Sequence, residues 1–404
     1  MYPRLAEERV RAAMGDTPVV VVQGPRQCGK TTLVRRFVGE GVPFVTLDDS
    51  LALDAAVRNP DAFVSQFRGS VVIDEVQRAP GVFRAIKKSV DADRRPGRFL
   101  LTGSSNVLLL PRLSESLAGR MEVVPLWPLC QAEVEGVEGG FVQRVFAAGD
   151  PSPLAPLPRR GEGDCWERVL RGGFPEPLSR STKDRASAWF DSYIKTVTER
   201  DVRDLSDIEG LTAMPRLLKV LARHCGESVN VSRVSREVGI PHTTLTRYLS
   251  LLESVFVLRP LHAWSHGAKT AKLQFSDPGV LAHLLGIDDV RAADESSLLR
   301  LLECFVSCEI VRLVDGCGSR TLVQHFRSLR TWSVPVVLES ASGEVVGVSV
   351  TADPVPAPSA FRGLEVLADI AGERFLRGVV LHTGASSAVY KDGFVGLPVS
   401  SLWE

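Results

Sequence analysis

Four short apolar runs, PVVVVQ, VPFVTLDD, GSVVIDEV and RFLLTGSS, punctuate the chain between Thr17 and Cys130, and each is followed by a more polar segment of helical period. That alternation predicts an α/β unit in which parallel strands are wrapped by helices. From Ala132 to Asp164 the pattern breaks into EVEGVEGG and PSPLAPLPRRGEGD, dense in glycine and proline. Such composition predicts a linker or surface insertion over residues 132–165, with the first domain spanning residues 1–131.

Beyond it, Thr182 to Leu205 carries Trp189, Phe190, Tyr193, Ile194 and Val197 at helical spacing, and Leu211 to His224 repeats the pattern. Packing is the favoured role for those aromatics. Val229 to Leu261 then reads as strand, helix, turn, helix, strand: Ser232 caps a helix that ends at Gly239, Pro241 restarts the chain, and Thr243 to Glu253 forms a second helix. The outline is a winged helix-turn-helix, within a mainly helical region over residues 166–290. A third, mixed α/β domain over residues 291–404 opens with the helix SSLLRLLECFVSCEIVRLV, continues in the strands TLVQHF, VPVVLES and VVGVSV, and has another helix between Leu364 and Ala371.

The bulk numbers fit this plan. At 404 residues two or three domains are expected, and 44% hydrophobic with 24% charged residues is the balance of a folded chain, not a disordered one. Lys plus Arg equals Asp plus Glu at 48 each, which excludes an overall electrostatic pull toward nucleic acid or anionic membrane; a DNA contact would need a local patch. The seven cysteines are scattered and lack a CxxC pair, which points to reduced thiols. Cys304, Cys308 and Cys317, with His325, invite a zinc set, but the four-residue step of Cys304 and Cys308 suits the apolar face of a helix better. The charged N-terminal segment has no apolar h-region and no stretch reaches a membrane span, so a cytoplasmic protein without membrane contact is expected.

Chemistry enters at Gly24-Pro25-Arg26-Gln27-Cys28-Gly29-Lys30-Thr31, a full GxxxxGK[ST] match directly after an apolar strand and before a predicted helix from Thr32 to Val38. Gly24 and Gly29 let the backbone wrap phosphates, the loop amides through Thr32 supply donors, and Lys30 neutralises β/γ charge. Thr31 offers its hydroxyl to Mg2+. In SVVIDEV an apolar strand ends in Asp74, a second magnesium holder, and Glu75, placed to polarise an attacking water. ATP and Mg2+ are therefore the expected ligands. The strand RFLLTGSSN ends in Thr102, Ser104, Ser105 and Asn106, any of which could sense a γ-phosphate, Ser104 being the one assigned to the nucleotide. In LAGR, Arg120 is a candidate charge stabiliser, in cis or from a neighbouring subunit, against the equal reading of an arginine on a solvated loop.

GPRQCGKTTL, VTLDD, VVIDEVQRAP, LLTGSSN and LAGR, in that order, resemble the prokaryotic AAA-type ATPases whose C-terminal half is a conserved domain of unknown function. RGGFPEP, ERDV at Glu199 to Val202, TLTRYLSLLE, FSDPGVLAHLLG, GVVLHTG and GLPVSSLWE resemble that second half, so the likeness runs over nearly the whole chain. The resemblance implies a restriction-endonuclease-like fold at the end of the chain, with an Asp on one strand and a Glu-x-Lys on the next. Pro335, Ser349 and Thr351 stand at those positions, so nuclease activity is not expected; Glu303, Glu309 and Glu339 are expected to be solvated or helix-surface acids.

Two functions follow. The first is an ATPase acting as a nucleotide-driven switch on a protein partner, with a homo-oligomer left open. The second is an ATP-gated DNA-binding regulator that reads DNA through His242, Thr243, Thr244, Thr246 and Arg247, against which stands the thin positive charge of that helix.

Overall fold

The structure is a computed structural model, which describes residues 2–39, 41–106, 117–147, 165–202, 211–264, 270–328 and 332–404. Near its N-terminus β1 (Val19–Gln23), β2 (Phe44–Thr46), β3 (Val71–Asp74), β4 (Phe99–Gly103) and β5 (Met121–Pro125) form a parallel sheet in the order β2-β3-β4-β1-β5. β1, β3 and β4 are buried along their whole length, which is why they read as unbroken valine and leucine runs. Alternate residues go to opposite faces: Val19 and Val21 meet Phe83, Ile86 and Val90, while Val20 and Val22 join a second core with Val10 and Leu33. The strand β5, MEVVP, was not anticipated; it is half exposed and lacks the apolar run of its neighbours.

The helices of this part are α1 (Ala6–Asp16), α2 (Lys30–Val34), α3 (Ser50–Arg58), α4 (Pro60–Ser65) and α5 (Gly81–Ala92). The Asp49 carboxylate caps α3 by accepting from the amides of Leu51 and Ala52, and Asn59 caps α4 ahead of Pro60. α2 starts at Lys30 and tightens into a 3-10 turn over Arg35–Phe37, rather than running from Thr32 to Val38.

The expected linker is corrected over its first half. Gln131–Glu135 and Phe141–Phe146 are short helices whose Ala132, Phe141 and Val145 are fully buried, so this glycine-rich stretch belongs to the core. PSPLAPLPRRGEGD lies outside the described residues.

In the helical region, Cys165–Arg171, Pro175–Ser179 and Lys183–Thr196 are followed by a π-helical turn over Val197–Asp201. Trp189 and Tyr193 pack on Phe174, and Phe190 packs on Trp189, a core role. The predicted end at Leu205 lies outside the described residues. A helix-turn-helix is present as Val231–Val238 and His242–Ser254, with Gly239 at φ 78° between them. Its first helix is capped by Asn230, not Ser232, since the Asn230 side chain accepts from the Arg233 amide at 3.0 Å. Where flanking strands were expected, single bridges join Ser228 and Leu261 to Lys272, and Leu258 to Phe275.

A second, mixed sheet has the order β10-β11-β9-β8-β7-β6, with β6 (Leu322–Arg327), β7 (Ser333–Glu339), β8 (Val345–Thr351), β9 (Phe375–His382), β10 (Ala388–Lys391) and β11 (Phe394–Pro398). The β6-β7-β8 run is antiparallel; β8 and β9 are parallel through the crossover helix Arg362–Ala371, and β11 is parallel to β9. Pro335 lies buried in β7, and Ser349 and Thr351 lie in β8.

The helix Glu295–Gly316, capped by Asp294, packs on α1 and β5 on one side and on β8 on the other, and so joins the two sheets. Cys304 and Cys308 lie on its buried face. Glu309 corrects the expectation of a solvated acid: it is fully buried, accepting from Arg312 at 3.1 Å and from the Gln131 amide at 2.6 Å. Glu339 is partly buried against Arg374, and Glu303, also partly buried, feels the charges of Lys272 and Arg300. No helix among the described residues is long and apolar enough to cross a membrane.

Candidate active site

Ligands of an open parallel sheet are met at the carboxyl ends of its strands, where loops diverge. β4 lies between β1 and β3, so the ends of all three converge there. From β1 comes the loop Gly24 to Gly29. Gly24 sits where a Cβ would stand 1.9 Å from the Leu126 carbonyl oxygen. Gln27 has φ 62° and Gly29 φ 104°, and such left-handed turns aim successive amides into one concavity, a nest for anions. The Cys28 thiol donates to Leu126 O at 3.1 Å and burial raises its pKa, so it is an inert wedge under the loop.

Lys30 is buried and its Nζ donates to the carbonyl oxygens of Gly24 at 3.0 Å and Pro25 at 2.9 Å, which keeps its charge inside the loop. Thr31 Oγ1 donates to the two oxygens of Asp74 at 3.0 and 3.2 Å. Thr102 Oγ1 also donates to Asp74, at 2.6 Å, and accepts from the Glu75 amide at 3.0 Å. Burial pushes the Asp74 carboxyl above the usual range; the Thr102 and Thr31 hydroxyls oppose the rise, and the Glu75 charge adds to it. Hydroxyl and carboxylate oxygens side by side are a donor set that suits Mg2+.

Glu75 has left-handed backbone, φ 57° and ψ 43°, which turns its carboxylate off the strand axis toward β4. It accepts from Ser104 Oγ at 2.9 Å and from Gln77 Nε2, which also donates to Ser104 at 2.9 Å. Burial favours its neutral form, but Lys30, the Gln77 and Ser104 hydrogen bonds and Arg26 together hold the carboxyl below its ordinary value. Of the other sensor candidates, Ser105 is buried, and the Asn106 amide donates to Ser254 O at the end of the second helix of the helix-turn-helix. Thr32 lies in the first turn of α2.

Arg120 is a correction. It precedes β5 at the amino end of the sheet, where its carbonyl accepts from the Val19 amide at 3.2 Å and its guanidinium binds Asp91. The length of β1, about 16 Å at about 3.3 Å per residue, separates it from the loop, so it cannot reach a phosphate in cis.

Three neighbours were not foreseen as site residues. Arg4, ahead of α1, donates to Cys28 O at 2.7 Å, Trp127 O at 2.6 Å and Glu133 Oε1 at 3.0 Å. Gln77 braces Glu75, a signal contained in VIDEVQ. Asp201, in the ERDV segment, takes both oxygens to Arg26 Nε at 3.0 and 3.1 Å. Among the described residues no group of three or more His, Cys, Asp or Glu is placed to hold a metal, Pro335, Ser349 and Thr351 contributing no carboxylate.

Residues 16–135 match the family model of an AAA domain, and residues 162–291 that of a domain of unknown function (DUF8612). The chain is 33% identical over 302 residues to two uncharacterized proteins, one of Mycobacterium bovis and one of Mycobacterium tuberculosis, a span that is 73% of this chain and 62% of theirs. The chain thus spans less than two thirds of the length of the curated relatives it matches. Among solved structures, RuvB of Thermotoga maritima aligns with a TM-score of 0.29 at 14% identity, covering 70% of this chain and 92% of that one. A signal-transduction ATPase with numerous domains and a tetratricopeptide repeat sensor, from Pyrococcus horikoshii, aligns with 0.27 at 12% identity, covering 78% and 50%. The chain carries an AAA-type P-loop domain, built on a parallel five-stranded sheet and followed by a second, mixed sheet.

Proposed function

We propose that this chain binds ATP with Mg2+ at the loop Gly24 to Thr31 and hydrolyses it. The observation that carries the reading is the convergence of Thr31, Asp74 and Thr102 within 3.2 Å, with Glu75 directly beside them. Thr31 and Asp74 would hold the metal, whose role when bound is to neutralise charge on the β- and γ-phosphate oxygens. Lys30 binds the same oxygens in exchange for the loop carbonyls. Glu75, kept ionised, accepts a hydrogen bond from the attacking water and takes its proton as the oxygen bonds to the γ-phosphorus and ADP leaves. Ser104 and Gln77 hold that carboxylate in place.

The domain plan that goes with this reading is a P-loop domain over 1–131, a helical region with the helix-turn-helix over 166–290 and a mixed α/β domain over 291–404, nuclease-like without its acids. The Asn106–Ser254 hydrogen bond supports a switch in which the nucleotide repositions the second half toward a protein partner. Lys30→Ala is expected to abolish binding of MgATP, while Glu75→Gln keeps binding and loses turnover. Parental turnover in Glu75→Gln would remove the assigned role.

A second reading, an ATP-gated DNA binder, rests on one observation. His242, Thr243, Thr246 and Arg247 share the exposed face of a helix whose Leu245, Tyr248 and Leu252 are buried, the arrangement of a recognition helix. ATP turnover stimulated by duplex DNA would favour it, and turnover blind to DNA would favour the protein-partner switch. Molar mass in each nucleotide state tests whether the switch works as a homo-oligomer, the only arrangement in which Arg120 of a neighbouring copy could meet the phosphates.

A further inference from the structure

Arg26 is a charged side chain inside the phosphate loop, yet its partner comes from 175 residues away: its Nε and Nη2 clasp the Asp201 carboxylate at 3.0 to 3.1 Å. The two groups are only 25% and 10% exposed, so the pair is poorly screened. Asp201 ends the Val197–Asp201 turn, a π-helical interruption directly after the 14-residue helix Lys183–Thr196, and such interruptions recur where helices yield in function. Arg26 also feels the negative charge of Glu75, the residue that the ATP-site reading sets beside the γ-phosphate, and of Asp48. A triphosphate in the loop would bring several negative charges toward the guanidinium that Asp201 accepts from.

We infer that Arg26 has two exclusive anionic partners, Asp201 when the loop is free of nucleotide and the γ-phosphate when ATP is bound, so that Asp201 is a latch that ATP opens. The inference rests on the ATP-site reading above. Asp201 and the γ-phosphate compete for one cation and repel each other, so binding of ATP and closure of the latch oppose each other by the same free energy, whichever is varied. ADP lacks the γ-phosphate and leaves the latch shut. The helix Lys183–Thr196 leads into Asp201, so opening this pair loosens one tie between the helical region and the phosphate loop. A carboxylate whose only task was to orient Arg26 for the nucleotide would act with the opposite sign.

The test is equilibrium binding of a fluorescent ATP analogue and of its ADP counterpart, both with Mg2+, to the full chain and its variants. Asp201→Asn is expected to tighten the ATP analogue about 5-fold or more and to leave the ADP analogue within about 2-fold. Arg26→Gln is expected to lose the preference for ATP over ADP, and adding Asp201→Asn to it should change nothing further, the signature of a single shared contact. A folded Asp201→Asn protein with unchanged or weaker ATP affinity overturns the latch. A second measurement needs no variant: amide exchange across Val197–Val202 in the parental chain should speed up with MgATP and not with MgADP, and equal exchange in both overturns it. If the parental chain binds neither nucleotide, the ATP-site reading is what fails.

Discussion

A Cβ added to Gly24 would stand 1.9 Å from the carbonyl oxygen of Leu126 and 2.9 Å from its carbonyl carbon. The obstruction is backbone, fixed by the Leu126 amide donating to Gln23 O at 2.7 Å, so it cannot rotate aside. The glycine is there for close approach, since its φ is not among the positive ones. Gly24→Ala is therefore expected to push the loop away from the segment that follows β5, to lose MgATP binding and to lower stability by about 1–3 kcal/mol, the range for overpacking. Calorimetric titration with MgATP and a urea melt would check both; parental affinity would show that the loop yields.

Arg4 acts on the loop from below. Its bond to Cys28 O fixes the Cys28–Gly29 peptide, and because C=O and N–H point opposite ways in a trans peptide, the Gly29 N–H is turned away from Arg4 and into the phosphate cradle. Replacing Arg4 by Met keeps the stem and removes the donors, leaving Glu133 without one partner and two carbonyls bare. We expect MgATP affinity to fall about 10-fold, with kcat of the loaded protein nearly unchanged, because the residue orients the loop and touches no reacting atom. A KM at the parental value would refute the orienting role.

What the residues announced and what they hid divide along sequence separation. The loop Gly24 to Thr31 and the pair Asp74-Glu75 are local motifs bounded by apolar strands, and both lie at the same sheet edge. Arg4 and Asp201 act through contacts 129 and 175 residues apart, for which no spacing rule exists, whereas Gln77 stands two residues from Glu75. Arg120 misled because LAGR carries no sign of which end of β5 it occupies. Phe141 and Val145 were hidden by the glycines before them, so a buried segment read as a linker. Ser232 and Asn230 are both good caps two residues apart, and only the Arg233 amide decides between them.

Asp74 supplies a pH prediction. Burial has already raised its pKa and the Thr102 hydroxyl works against that rise, so Thr102→Val should raise it further. Only the carboxylate form can hold Mg2+, and it is populated above the pKa. The acid limb of the kcat/KM profile for MgATP is then expected to move to higher pH by about one unit, while Thr102→Ser, which keeps the hydroxyl, restores the parental profile. A Thr102→Val limb at the parental pH would mean that this hydroxyl does not tune Asp74.

The buried centre that joins the segments holds one guanidinium and two carboxylates. Arg312 donates to Asp277 at 2.9 Å, Glu309 at 3.1 Å and the carbonyls of Leu129 and Ser276, and Asp277 accepts from the Gly173 amide at 2.8 Å. One positive charge cannot match two negative ones, and burial lifts the Glu309 carboxyl to about 7 against the pull of Arg312 and the Gln131 amide. Between its ordinary value near 4.5 and about 7 the folded chain therefore binds more protons than the unfolded one. The stabilisation is complete below about 4.5 and is lost as pH rises through about 7, a few kcal/mol in order of magnitude. Urea midpoints measured from pH 5 to 8 should carry this fall from Glu309 on top of the opposite trends of other acids, so that Glu309→Gln, which has no proton to lose, gives a difference curve rising with pH. A difference curve flat across that window would place the Glu309 proton elsewhere.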